Sequence, residues 1–166
     1  SSYDDLKQDL ESGLWGAMVT AKSFLPVLRT PSKILFVSSA LGLMGLAGYG
    51  GYGAAKAGMI NFAEVLRREV KNKGIAVYVV CPSDIDTPQY RAEQETRPAW
   101  MKKTLEPRGA PMPASVAARK ILKKCNGNRF LFTITLDVLF LIFATKILPR
   151  RIRDFLLDTM FPRPGK

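Results

Sequence analysis

Residues 33–56 read KILFVSSALGLMGLAGYGGYGAAK, and the fold turns on how that stretch divides. Lys33–Ser39 is short, apolar and closed by two serines. That is the pattern of a strand buried in a parallel sheet, with its polar end at its C-terminus. Ala40–Gly53 reads as loop, with Gly42, Gly45, Gly48, Gly50, Gly51 and Gly53 set among small and apolar residues. A helix is predicted from about Tyr52 to Lys73. It carries Met59, Ala63, Leu66 and Val70 on one face, charged Glu64, Arg67, Arg68, Lys71 and Lys73 on the other, and Gly74 as its stop. Ile75–Cys81 (IAVYVVC) is a second buried strand, closed by Pro82.

Upstream, Leu6, Leu10, Leu14, Ala17, Ala21, Phe24 and Leu28 recur at helical spacing and predict a long helix over residues 3–28. Asp4 and Asp5 suit its N-terminus, and Gly13 and Gly16 signal another backbone passing close by. Pro26 should kink or end it. Downstream, residues 83–113 hold five prolines and predict a lid or partly disordered loop. A short helix at Ala114–Lys124 follows. The apolar run 130–145 is interrupted only by Asp137 and is too short to span a bilayer, which takes ~20 residues. It divides into a last strand, Phe130–Leu136, and an apolar helix, Val138–Leu148, followed by a basic tail with Arg150, Arg151 and Arg153. Helices alternating with buried strands on short connections predict an α/β fold.

Composition narrows the chemistry. The 166 residues carry a net charge of +11 and are 47% hydrophobic, which excludes a disordered chain. With no His there is no Ser-His-Asp or Cys-His nucleophile system and no His-ligated metal. Two Cys cannot build a disulfide framework or a Cys-rich zinc site, and no metal is expected. No signal-peptide pattern opens the sequence, and free cysteines fit a reducing, cytoplasmic setting. Residues 1–83 are net +3 and residues 84–166 net +8. The skew suits an anionic surface, and the apolar run beside it points to peripheral attachment on the cytosolic face of a membrane rather than to nucleic acid, for which no recognition motif is present.

Tyr52 and Lys56 form Tyr-x-x-x-Lys at a helix start, so both side chains share a face. An ammonium beside a phenol is expected to draw its pKa below the usual ~10, as proton transfer near neutrality requires. Ser39 lies at the polar end of one strand, and Pro82–Thr87 leaves the next strand at the same edge, where ligands of open α/β sheets bind. On its own the motif is equally a surface Tyr beside a solvated Lys.

Ser39, a thirteen-residue step to Tyr52, Lys56, and a strand ending in Pro82-Ser83-Asp84-Ile85-Asp86-Thr87 together resemble the short-chain dehydrogenase/reductase family. Leu14-Trp15-Gly16 and Phe24-Leu25-Pro26 resemble that family's long interface helix. The resemblance implies that Tyr52 is the general acid–base, that Lys56 lowers its pKa and binds the nicotinamide ribose, and that Ser39 orients the carbonyl. Pro82, Ser83, Ile85 and Thr87 would line the cofactor, NADPH or alternatively NADH. Tyr49 is not the acid, since Gly53 rather than Lys stands four residues on. The helices at 3–28 and 52–73 would form a homo-oligomer interface.

The sequence departs from the family pattern in three places. Gly13 stands where the family's relay Asn falls, and Ser83 where a Gly follows the Pro. No G-x-x-x-G-x-G segment or first four strands are found, so the chain reads as the C-terminal part of a doubly wound Rossmann-type parallel sheet. Strands five to seven and their helices are present and the N-terminal dinucleotide-binding half is not. One partial domain is expected: a catalytic core at 1–83, a substrate loop at 84–113, and the last helix, strand and tail at 114–166. Residues Asp84–Tyr90, with Glu93, Glu95, Thr96, Arg97 and Pro98, resemble the branch that reduces 3-ketodihydrosphingosine, which implies a lipophilic ketone as substrate. The rivals are a reductase of another ketone, or a non-catalytic binding protein built on the same fold.

Overall fold

The computed structural model describes residues 2–97, 99–104 and 110–161. Its first helical stretch is built in three pieces: α1 (Tyr3–Asp9), a π-helical segment (Leu10–Trp15) and α2 (Gly16–Phe24). Ser2 and Asp5 close a capping box at the start of α1. The predicted 3–28 helix therefore stops four residues early. Pro26 has no N–H to continue the ladder, and residues 25–27 turn instead.

Strand β1 (Ser32–Val37) leads through a 3-10 turn (Ala40–Gly42) to α3 (Gly50–Glu69), which starts two residues before the predicted Tyr52. A second 3-10 turn (Lys71–Lys73) ends at Gly74, whose φ of 65° is the left-handed conformation that glycine adopts without a Cβ penalty. Strand β2 (Ile75–Val80) pairs in parallel with β1 along its whole length, Ser32 opposite Ile75 and Val37 opposite Val80. Strand β5 (Leu131–Phe132) pairs in parallel with the other edge of β2, giving the order β1-β2-β5. Among the described residues no strand covers the free edge of β1.

Alternation along β2 builds two cores. Val77, Val79 and Cys81 face α3, where they meet Met59, Ala63, Leu66 and Val70 with Phe36 of β1. Tyr78 and Val80 face the opposite way, toward Ala117, Ile121 and Cys125 at α6 (Ala114–Lys124) and Phe132 and Ile134 after the turn. A sheet covered by helices on both faces explains why β2 is apolar throughout rather than alternating. The π-helical segment packs closely on α3: a Cβ built on Gly13 would lie 3.0 Å from the Ala55 Cβ.

Three expectations about the second half need correction. Residues 84–113 are not an open loop. A short parallel pair, β3 (Ile85–Asp86) with β4 (Met112–Pro113), encloses α4 (Pro88–Thr96) and α5 (Ala99–Thr104), while Pro98 and residues 105–109 lie outside the described residues. The predicted strand 130–136 pairs over only two residues. The chain then leaves the ladder, the Thr133 carbonyl accepting from Lys124 Nζ at 2.6 Å, and turns into α7 (Leu136–Ile147). The basic tail is itself a helix, α8 (Arg150–Met160), in which Arg150 pairs with Asp154 at 3.5 Å. Among the described residues no helix is long and apolar enough to cross a membrane.

Candidate active site

The C-terminal ends of β1 and β2 are stitched together. Ser38 N–H donates to the Val80 carbonyl at 2.9 Å, and Ala40 N–H to the Pro82 carbonyl at 3.1 Å. The first turn of α3 lies against that edge. Ser39, in extended backbone just past β1, accepts the Leu41 N–H at 3.2 Å, and its hydroxyl lies close enough to the Tyr52 phenol to act on its pKa. Lys56 lies one turn along α3. Its Nζ is 5.5 Å from the Tyr52 ring centroid and donates to the Val37 carbonyl at 3.0 Å. The structure thus brings Ser39, Tyr52 and Lys56 together, as their spacing predicts.

The electrostatics run against expectation. Burial raises the Tyr52 pKa above its ordinary value. The Ser39 hydrogen bond works the other way, while the carboxylates of Glu93, Asp84 and Asp9 add to the rise. Lys56 is not among the groups that draw it down, and its ammonium donates to the Val37 carbonyl. Burial also holds the Lys56 pKa below that of a free lysine. The balance favours the protonated phenol at Tyr52.

The other expected site residues are placed as follows. Pro82 is buried and ties the two loops through its carbonyl. Ser83 hydrogen-bonds the Asp137 carboxylate, which sits in the first turn of α7. There burial acts upward on Asp137, but bonds from Thr135, the Val138 N–H and Ser83 outweigh it and hold its pKa down. Ile85 belongs to β3 and packs against the core on the α6 face. Thr87 caps α4, its hydroxyl accepting the Tyr90 N–H at 3.2 Å.

Residues that the sequence reading gave no site role also surround Tyr52. Asp9 of α1 accepts the Tyr52 backbone N–H, an orphan donor of the first turn of α3, and burial raises its pKa. Tyr49, the residue that starts α3, stacks edge-on to Tyr52 with centroids 6.1 Å apart. The Tyr49 hydroxyl donates to Glu93, which also pairs with Arg97 at 2.6 Å. Glu93 and Arg97 stand four apart on α4, a spacing readable as an ion pair, though nothing local tells that Tyr49 closes on it. A concavity of about 350 Å³ lies at the opposite, N-terminal end of the strands, lined by Arg67, Lys71, Ile75 and Phe130 among others, well away from this chemistry.

Comparison with known proteins agrees with this geometry. A family model described as short chain dehydrogenase matches residues 2–98. A 3-dehydrosphinganine reductase of Danio rerio is 32% identical over 127 residues, covering 75% of this chain and 38% of that protein. A mitochondrial D-beta-hydroxybutyrate dehydrogenase of Rattus norvegicus is 36% identical over 85 residues, 51% of this chain and 25% of its own length. The chain spans well under half the length of these relatives. A solved short chain dehydrogenase from Burkholderia cenocepacia, in complex with NADP, superposes with a TM-score of 0.78 at 17% identity, over 98% of this chain and 61% of that one. The fold, the edge at which Ser39, Tyr52 and Lys56 meet, and the family match agree: the chain belongs to the short-chain dehydrogenase family.

Proposed function

We propose that the protein carrying this chain reduces a lipophilic ketone to a secondary alcohol, with 3-ketodihydrosphingosine as the first candidate substrate. The observation that carries the reading is the meeting of Ser39, Tyr52 and Lys56 at the C-terminal edge of a parallel sheet. In the proposed step the Ser39 hydroxyl holds the ketone oxygen. Tyr52, kept protonated by burial, donates its proton to that oxygen as negative charge develops. Lys56 fixes the phenol's surroundings and offers N–H donors toward a ribose. Gly13 leaves the relay without the family's Asn side chain, so water or a backbone carbonyl completes it.

A reduced nicotinamide dinucleotide, NADPH before NADH, supplies the hydride when bound. The residues present fit its nicotinamide end. Lys56 is a half-buried donor beside Tyr52, the Thr87 hydroxyl lies at the start of α4, and Pro82, Ser83 and Ile85 border the same edge. The pyrophosphate and adenosine have no glycine-rich cradle in these residues. In our reading the chain contributes strands five to seven of the family sheet, with the dinucleotide-binding half packing on the free edge of β1. Exposure of Val37 on that strand supports this.

A lipophilic substrate is supported by the name of the Danio rerio relative and by the C-terminal surface. Leu136, Leu139, Phe140, Phe143 and Ile147 form an exposed stripe at helical spacing on α7, and Phe155 on α8 is 71% exposed. Lys146, Arg150 and Arg151 are exposed beside them. We assign this face to peripheral contact with a cytosolic membrane surface, and the exposed Trp15, Val19 and Phe24 of the first helical stretch to a homo-oligomer contact also involving α3. The test is direct. The full-length protein is assayed with 3-ketodihydrosphingosine and with a short soluble β-keto ester, each with NADPH and NADH. Preference for the long-chain ketone supports the reading, and turnover of the soluble ketone alone overturns it.

A further inference from the structure

The Tyr49–Glu93–Arg97 cluster has no part in the reaction described above, yet it is buried beside the reacting phenol. The Arg97 side chain is only 6% exposed, and its Nε is buried without a hydrogen-bond partner. Its other nitrogens bind Glu93 at 2.6 Å and Gln94 at 3.2 Å, and its guanidinium lies 5.9 Å from the Tyr49 ring centroid. A buried guanidinium is stable only with a close carboxylate, so Glu93 is held in place by Arg97 as firmly as Arg97 is by Glu93. The same Glu93 oxygen accepts the Tyr49 hydroxyl, 44 residues away in sequence, at the start of the catalytic helix.

Given the ketone-reductase reading, we propose that Glu93 is a positioning residue for Tyr52. By clasping Tyr49 and Arg97 it pins α4 to the first turn of α3 and fixes a negative charge beside the phenol. The groups around Tyr52 are few enough to name. Asp9 comes from α1, the Ser39 hydroxyl from the β1 loop, and Lys56 and Tyr49 from the ends of its own turn. Asp84 comes from the turn after β2 and Glu93 from α4, with Arg97 acting through Glu93. Of the three carboxylates, Glu93 is the one anchored by two side-chain partners. Its charge cannot swing away when substrate enters. The clasp has two consequences: α4 stays seated over the substrate side, and the proton stays on Tyr52 until the ketone oxygen takes it.

The test uses protein labelled with 13C at the tyrosine ζ carbon. In the full-length protein Tyr52→Phe and Tyr49→Phe assign the two resonances that matter. Glu93→Gln keeps the shape and the acceptor oxygen but removes the charge. The Tyr52 titration midpoint is expected to move to lower pH, and Tyr49 to become easier to ionise. Tyr49→Phe, which frees one of the two anchors while leaving every charge, is expected to move Tyr52 in the same direction by less. Unchanged Tyr52 midpoints in both variants, or in Tyr49→Phe alone should Glu93→Gln not fold, overturn the proposal. Because the titration needs no turnover, it separates failure of this inference from failure of the reductase reading. In active protein Glu93→Gln should raise KM more than it lowers kcat, and Glu93→Asp should recover part of the loss.

Discussion

Replacing Gly48 by Ala isolates the seam between the glycine loop and the helices above it. Gly48 has a φ of 90°, in the left-handed region, and a Cβ there would lie 1.9 Å from the Met101 Cε. The backbone part of the cost is about 1–2 kcal/mol for an L-residue held left-handed. The steric part falls on the terminal methyl of Met101, a flexible side chain that is 6% exposed and gives way at the expense of some packing. Forcing an added methyl into such packing costs about 1–3 kcal/mol. Together Gly48→Ala should cost ~2–5 kcal/mol in urea unfolding. Met101→Ala alone costs ~2–5 kcal/mol by leaving a cavity. In the double variant the clash is gone while the backbone strain and the lost Met101 packing remain, so the two losses should fall short of additivity by about 1–3 kcal/mol. Additivity within about 0.5 kcal/mol would refute the placement of α5 over the loop.

Other outcomes follow from the site and the tail. Lys56→Met removes a half-buried ammonium. Its folded pKa is lowered, so below that pKa the wild type carries the full cost of burying charge, and the cost fades as pH rises toward the unfolded value of ~10.4. The unfolding free energy of wild type relative to Lys56→Met should therefore rise between pH 7 and pH 10, and a flat difference would argue against burial of the ammonium. With the Tyr52 pKa raised, ketone reduction should show no loss from phenol ionisation between pH 6 and pH 9, whereas alcohol oxidation should climb with pH; paired pH profiles check this. Replacing Arg150, Arg151 and Arg153 together with Ser should weaken cosedimentation with anionic liposomes, each basic residue near the surface contributing ~1 kcal/mol, and leave neutral vesicles little affected. Protein that stays in the supernatant with both vesicle types would make α7 and α8 packing elements.

The core was legible in the sequence because each buried element has a clean period. The strands at Lys33 and Ile75 are continuous apolar runs, and α3 carries its core residues at steps of three and four. Ser39, Tyr52 and Lys56 could be read because their meeting depends only on one strand end and one helix start. Residues 84–113 read as loop because prolines are turn signals, whereas Pro88 opens a helix at its first turn, where no N–H is needed. α8 was missed because its three arginines drew attention to charge and away from the spacing of Ile152, Phe155 and Leu156. The direction of the Tyr52 pKa was out of reach of any local pattern. It depends on burial and on Glu93, Asp84 and Asp9, which lie tens of residues from Tyr52 in sequence and meet it only in the folded protein.

The central claim is that Tyr52 hands a proton to a ketone oxygen held by Ser39. Tyr52→Phe in the full-length protein tests it, with kcat and the cofactor Kd measured separately. Phe keeps the ring and its edge contact with Tyr49 but has no proton to give, so kcat should fall by ~10²–10⁴-fold while the cofactor Kd stays close to wild type. Turnover within about threefold of wild type would contradict the account.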